Sequence, residues 1–392
     1  MFMLAIVLGF VGADVSAATD SVMPTIDQLA EIAYLPDPFL FEDGTTRVGT
    51  PDEWRQRRQE IIALFEYYEY GHIPPSPGNM EVEEVSCETV LEGKATLRRV
   101  ILKMGPEHTF KMNVALYVPV GVATPLPVLS AIEPVWKEEL LPVARQVVEQ
   151  GYIFAGYDKH ELDEDNEDRS DGVHPLYPEY DWATLAAWAW GTLRLVDYLY
   201  TLDFVDKEKI ALTGHSRAGK TALLAAALDE RIALVAPHGS GAGGAGCFRI
   251  EGRGSETLNM ITQKARFHYW FHPRFSEFSH KETRLPFDQH FLKALIAPRV
   301  LVCMEGQEDL WGNPLGSQQS TRAAQPVFDF LGAPKNNAFY CRPGGHDMTD
   351  DDWDALLAYC NYYFFSKSLT LEWNAFPYPE ESLDLPWHAQ RK

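Results

Sequence analysis

KIALTGHSRAGKTALLAAAL, Lys209 to Leu228, is the stretch that decides the fold. Inside it, Gly214 to Thr221 satisfies two incompatible patterns. As G-x-x-x-x-G-K-[ST] it is a phosphate-cradling loop. As G-x-S-x-x-G between an apolar strand and a helix it is a relative of the nucleophile elbow. The first reading needs a later hydrophobic strand ending in an aspartate that can hold magnesium. The later runs end as LVAPHGS, with no carboxylate, and LVCMEGQED, where Asp309 comes only in the following loop. His215 and Arg217 also crowd positions that are small in phosphate loops. The elbow reading fits better: KIALTG is a strand, AGKTALLAAAL forms a helix, and Gly214 and Gly219 permit a strained turn that presents Ser216.

A serine hydroxyl is a weak nucleophile until a base takes its proton, and on this fold the chain order is Ser, acid, His. Among twelve histidines, His346 fits: FYCRPGGHDMTDD places it in a loop between a strand and a helix, with Gly344 and Gly345 allowing a tight path. The loop after the preceding strand, RVLVCMEGQEDLW, offers Glu305, Glu308 and Asp309. Asp309 is the expected acid and Glu308 the runner-up; its work is to fix the imidazole tautomer and stabilise the imidazolium. The main-chain N–H of Arg217 is the expected oxyanion donor. The Arg217 guanidinium either joins it or forms a surface salt bridge, and spacing alone leaves both open.

Outward from this centre, the apolar runs LPVLSAI, YIFAGYD, KIALTG, RIALVAP and RVLVCME alternate with helical patterns at 141–150, 184–200, 218–228, 322–331 and 352–365. Runs buried on both faces belong to a parallel sheet covered by helices. Before them, FKMNVALYVPV alternates as a strand, and DEWRQRRQEIIALFEYYEYG carries Ile61, Leu64, Phe65 and Tyr68 on one helix face. The expected fold class is therefore α/β: a three-layer sandwich with a mostly parallel central sheet and antiparallel N-terminal strands. Residues 18–392 read as one catalytic domain, following an apolar leader at 1–17 that ends in small residues. That leader makes the protein secreted or periplasmic, although no Lys or Arg precedes its apolar run.

The chain has 392 residues, 46% of them hydrophobic, and a formal charge of −22. No basic stripe offsets that charge, so nucleic acid is not an expected partner. RQRR (55–58) and the acidic HELDEDNEDRSDG (160–172) read as solvated charge. No segment has the length of a membrane span. Cys87, Cys247, Cys303, Cys341 and Cys360 lack metal-like spacing and form no disulfide framework, though one bridge stays open.

GHSRAGK, SGAGGAGCFRI (240–250), LPFDQHFLKALIAPR (285–299), EDLWGNP and GGHD together resemble carbohydrate esterase family 15, the glucuronoyl esterases, over nearly the whole chain after the leader. The resemblance implies an α/β-hydrolase fold. It also implies hydrolysis, through an acyl-enzyme and without cofactor or metal, of esters joining 4-O-methyl-glucuronoxylan to lignin alcohols. Ser216 matches the nucleophile, His346 the base and Arg217 an arginine implicated in oxyanion stabilisation. Lys220 and Glu256 match residues that contact the sugar, and Trp311 a tryptophan flanking it. Some members carry the acid as a Glu just before the S-G-x-G-G block, where this chain has Gly239. Another branch carries it in a D-x-W pattern, which Asp309-Leu310-Trp311 satisfies. Where some members place a cysteine between Gly and Ser, His215 stands here, so the implied disulfide between nucleophile and base loops is absent. The alternatives are an acetylxylan or other carbohydrate esterase of the same fold, or a non-catalytic sugar-binding protein. The expected state is a monomer.

Overall fold

The computed structural model describes residues 23–372, 374, 376–378 and 385–387; the leader expected at 1–17 lies outside the described residues. The chain enters through helix α1 (Pro51–Phe65), started by a Thr50–Glu53 capping box with Pro51 in its first turn. Three strands follow, β1 (Glu81–Val90), β2 (Ala95–Met104) and β3 (Phe110–Pro119), paired antiparallel in that order. The apolar runs then become β4 (Leu126–Ala131), β5 (Ile153–Tyr157), β6 (Val205–His215), β7 (Leu234–His238) and β8 (Val300–Gly306), with β9 (Asn337–Arg342) last. The nine-stranded sheet runs β1-β2-β3-β5-β4-β6-β7-β8-β9, and every pair from β5 to β9 is parallel.

Two cores form because successive side chains of a strand face opposite ways. Val128, Leu212 and Cys303 point to one face, where α1, α3 (Thr184–Tyr200), α4 (Arg217–Leu228), α6 (Gln289–Ala294) and α7 (Pro314–Phe330) cover them. Leu129, Ala211 and Met304 point to the other, under α2 (Leu141–Glu149) and α8 (Asp350–Phe365). A short helix, α5 (Leu258–Ile261), lies in the long excursion between β7 and β8. This is the α/β-hydrolase arrangement expected from the sequence, with the parallel strands ending at one edge where the β–α loops gather. Among the described residues no helix is long and apolar enough to cross a membrane.

Three local expectations are corrected. Helix α7 starts at Pro314, eight residues before Arg322, because Asn313 caps it by accepting the Gly316 N–H and Pro314 takes the first helical position. The RQRR segment is not all solvated: Arg57 and Arg58 are buried, and Arg58 donates to the carbonyls of Leu295 and Ala227. Nor is the acidic segment at 160–172 only a solvated loop. Asp163 is buried against His174, and Asp165 accepts from the Trp270 indole. All five cysteines are free, with Cys247, Cys303 and Cys360 buried.

Candidate active site

Strand β6 ends at His215 and α4 begins at Arg217, leaving Ser216 alone on the turn at φ 57° and ψ −121°. A non-glycine residue at positive φ stores strain that only a firm surround maintains. That surround is close packing. A Cβ on Gly214 would stand 2.2 Å from the Ala218 carbonyl oxygen, and one on Gly219 2.8 Å from that of Gly214. The Ser216 N–H donates to the His238 carbonyl at 2.9 Å, pinning the turn to β7. The Arg217 N–H is the first of α4 and has no acceptor within its own helix, so it is available to an anion at the serine.

His346 and Asp309 meet from separate loops. His346 Nδ1 and Asp309 Oδ2 are 2.7 Å apart, with the imidazole 40% exposed and the carboxylate nearly buried. Asp309 Oδ1 accepts the Gly312 N–H at 3.0 Å. Burial works to raise the Asp309 pKa, but the hydrogen bonds from His346 and Gly312 outweigh it and hold the carboxyl below its usual range. The Asp309 hydrogen bond in turn raises the pKa of His346, against the opposing effect of burial. The nucleophile turn borders this pair. The His215 ring centroid lies 4.6 Å from that of His346, and a Cβ on Gly239 would sit 3.4 Å from both His346 Nδ1 and Asp309 Oδ2. Position 239 therefore faces the same imidazole that Asp309 serves, so a side chain there would compete for it.

The rival carboxylates are placed elsewhere. Glu308 turns outward and accepts the Gly344 N–H, while its own N–H donates to the Gly344 carbonyl. It braces the His346 loop and makes no hydrogen bond to the imidazole. Glu305 is fully buried in β8, where desolvation pushes its carboxyl up to about 8.

Of the two roles that its spacing left open for Arg217, the salt bridge is present in the structure. Its guanidinium pairs with Asp165 and lies 5.0 Å from the centroid of the Trp270 ring, which stacks on Phe267 at 4.1 Å. Asp165 also accepts from the Trp270 indole at 2.7 Å and, through its carbonyl, from the Tyr269 hydroxyl at 2.7 Å. The cation is thus held by a carboxylate and an indole, while its side chain stays 38% exposed. Sequence reasoning missed Asp165 and Trp270; a dense run of carboxylates hides which one has a partner.

Lys220 is buried and gives its three ammonium donors to the Ser240 carbonyl, the Ala242 carbonyl and Glu256 Oε2 at 2.7, 2.5 and 2.7 Å. The lysine that completes a phosphate-loop pattern therefore points into the Gly-rich segment after β7. Trp311 is no core residue: it is 38% exposed, and the Arg266 guanidinium lies 5.5 Å from its ring centroid. Its carbonyl accepts the Glu256 N–H at 3.0 Å, which ties the tryptophan loop to the Lys220–Glu256 pair. One short block, Asp309 to Asn313, thus supplies the carboxylate paired with His346, the exposed indole and a staple. Asn313 holds the 250–252 turn through Ile250 O and Gly252 N at 2.9 and 3.1 Å. Among the described residues no cluster of His, Cys, Asp and Glu could hold a metal ion.

The family model described as "Glucuronyl esterase, fungi" matches residues 101–332. A 4-O-methyl-glucuronoyl methylesterase of Phanerochaete carnosa is 32% identical, over 85% of this chain and 81% of that protein. The solved glucuronoyl esterase of carbohydrate esterase family 15 from Caldicellulosiruptor kristjansonii superposes with a TM-score of 0.77 at 29% identity, over 91% of this chain and 97% of that one. A promiscuous esterase of the same family from a marine bacterial metagenome does so with a TM-score of 0.73 at 30% identity, over 86% and 98%.

Proposed function

Because the chain belongs to the glucuronoyl esterases of carbohydrate esterase family 15, we propose that it hydrolyses esters of 4-O-methyl-glucuronic acid on xylan with lignin alcohols, as a serine esterase. The observation that carries this reading is the 2.7 Å His346–Asp309 pair, whose imidazole lies against the turn that holds Ser216 at positive φ. Ser216 Oγ attacks the ester carbonyl as His346 takes its proton. Asp309 stabilises the resulting imidazolium without itself being protonated. The oxyanion is met by the Arg217 N–H and by its bracketed guanidinium. His346 then protonates the departing alcohol, leaving an acyl-enzyme, and activates the water that releases glucuronate.

Trp311 offers an aromatic face to the sugar ring, and Glu256 and Lys220 lie behind it. Since every Lys220 donor already has a partner, a sugar hydroxyl engages this pair by replacing a protein acceptor or through Glu256. No cofactor takes part in this reading. Residues 18–392 act as one monomeric catalytic unit, exported to the periplasm or medium behind the leader at 1–17.

Turnover of benzyl glucuronate is the test. Ser216→Ala is expected to lower kcat by at least ~10⁴-fold, and an unchanged rate refutes the mechanism. A second reading, a wider ester range that includes acetylated sugars, is supported by the likeness to the promiscuous family member. Comparing kcat/KM for glucuronate, galacturonate and acetyl esters separates the two.

A further inference from the structure

A second line of polar groups runs beside the His346–Asp309 pair and has no place in the steps above. His215, immediately before the nucleophile, has its Nδ1 3.0 Å from Nδ1 of His238 at the end of β7. His238 is fully buried, and its Nε2 lies 3.3 Å from Asp352 Oδ1, within ion-pair reach though off the line of a hydrogen bond. Asp352 is also fully buried. It accepts from Arg342 Nε at 2.9 and 2.8 Å and closes the α8 capping box by accepting from Thr349 at 2.7 Å. Arg342 reaches on to the carbonyls of Pro343 and Asp347, the two sides of the loop that carries His346.

The proton inventory gives the chain a direction. Two facing Nδ1 atoms can share only one hydrogen, and an ionised Asp352 favours a hydrogen on His238 Nε2. His238 Nδ1 is then the acceptor and His215 Nδ1–H the donor. The groups facing His215 are His238 from β7, His346 and Asp352 from the loop and helix after β9, and Asp309 from the loop after β8. Burial first, then the neighbouring imidazoles, depress the His215 pKa to about 3, and Asp352 is held at about 2. With His215 neutral, the positive charge of the reaction stays on the ring that Asp309 faces.

We propose that His215, His238 and Asp352 form a positioning chain that clamps the nucleophile turn to the base loop and keeps the His346 ring aligned with Asp309. None of the three touches reacting atoms; they act through Ser216 and His346. The proposal rests on His346 being the base, and His346→Ala checks that separately: if this variant keeps its activity, the base assignment fails whatever the chain does.

The experiment compares His215→Phe, which keeps a ring against His346 but loses the hydrogen bond to His238, with His215→Asn, which keeps a donor near the Nδ1 position. His215→Phe is expected to lower kcat about 10-fold with KM changed less than about two-fold. Because the Asp309 contact is what raises the His346 pKa, loosening that contact moves the acid inflection of kcat/KM to lower pH, by about half a unit or more. His215→Asn is expected to recover most of kcat and to restore the inflection. A His215→Phe profile whose inflection coincides with the wild type overturns the proposal, as does an Asn variant no better than Phe. Should His215→Phe show no cooperative unfolding transition, His238→Asn replaces it. That variant keeps an acceptor for His215 but breaks the approach to Asp352, and an unshifted inflection again overturns the chain.

Discussion

One peptide step separates Glu308 from Asp309, and it sends their side chains to different partners. Asp309 is buried under Gly312, where only glycine leaves room: a Cβ there would meet Asp309 Oδ2 at 2.3 Å. Glu308 faces solvent and holds Gly344. Asp309→Asn is therefore expected to lower kcat by ~10³–10⁴-fold, because the amide no longer selects the reactive tautomer of His346. Glu308→Gln is expected to stay within about 10-fold, since it only loosens the loop; steady-state kinetics on benzyl glucuronate reads both. The pH profile follows from the same pair. As the proposed base His346 must be neutral to act, and its pKa is raised above 6.5, so the acid limb of kcat/KM is expected to inflect above pH 6.5. The turn that carries Ser216 and the loop that carries His346 were legible in the sequence from motif and chain order. Asp309 was not separable from Glu308 by spacing, because burial, not position, distinguishes neighbouring loop carboxylates.

Among the elements, the β6–α4 turn depends on two hydrogen atoms in place of side chains. Gly214→Ala pushes a methyl group into the first turn of α4, so its cost is expected to be about 3 kcal/mol or more, with activity lost even where the chain still folds. Chemical denaturation together with turnover checks this. Strands β4 to β8 were visible as apolar runs because helices cover both of their faces. β1 was not: EVEEVSCETV is exposed along nearly its whole length, so no burial pattern marks it. The 160–172 loop misled for a related reason. Its charge density suggests solvent, yet Asp163 and Asp165 are oriented by His174, Arg217 and Trp270, which lie far from them in sequence or out of any motif. The start of α7 was missed because Gly316 and Ser317 look like loop, while Asn313 and the buried interior favour helix.

Across the whole molecule, two fully buried carboxyls, Glu69 and Glu305, have pKa values pushed by desolvation to about 8. An unfolded glutamate titrates near 4.3, so between those values the native state holds protons that the unfolded chain has released. Stability is therefore expected to fall as pH rises from about 5 to 8. Glu305→Gln is expected to flatten that slope and to be the more stable protein at pH 8, by an amount on the order of 2 kcal/mol; urea melts at the two pH values decide. Below this window Asp352 and Asp309, whose pKa values are lowered, act in the opposite sense, losing stability as they become protonated.

The five free thiols carry a consequence for handling and evolution alike. Burial raises the pKa of Cys247, Cys303, Cys341 and Cys360, which keeps them protonated and slow to react. The loops of the active centre are joined by imidazole, carboxylate and guanidinium contacts, so assembling it calls for no oxidant. Refolding from urea in dithiothreitol is expected to return as much esterase activity as refolding in air. An enzyme held together this way is expected to fold and turn over equally in reducing and in oxidising media.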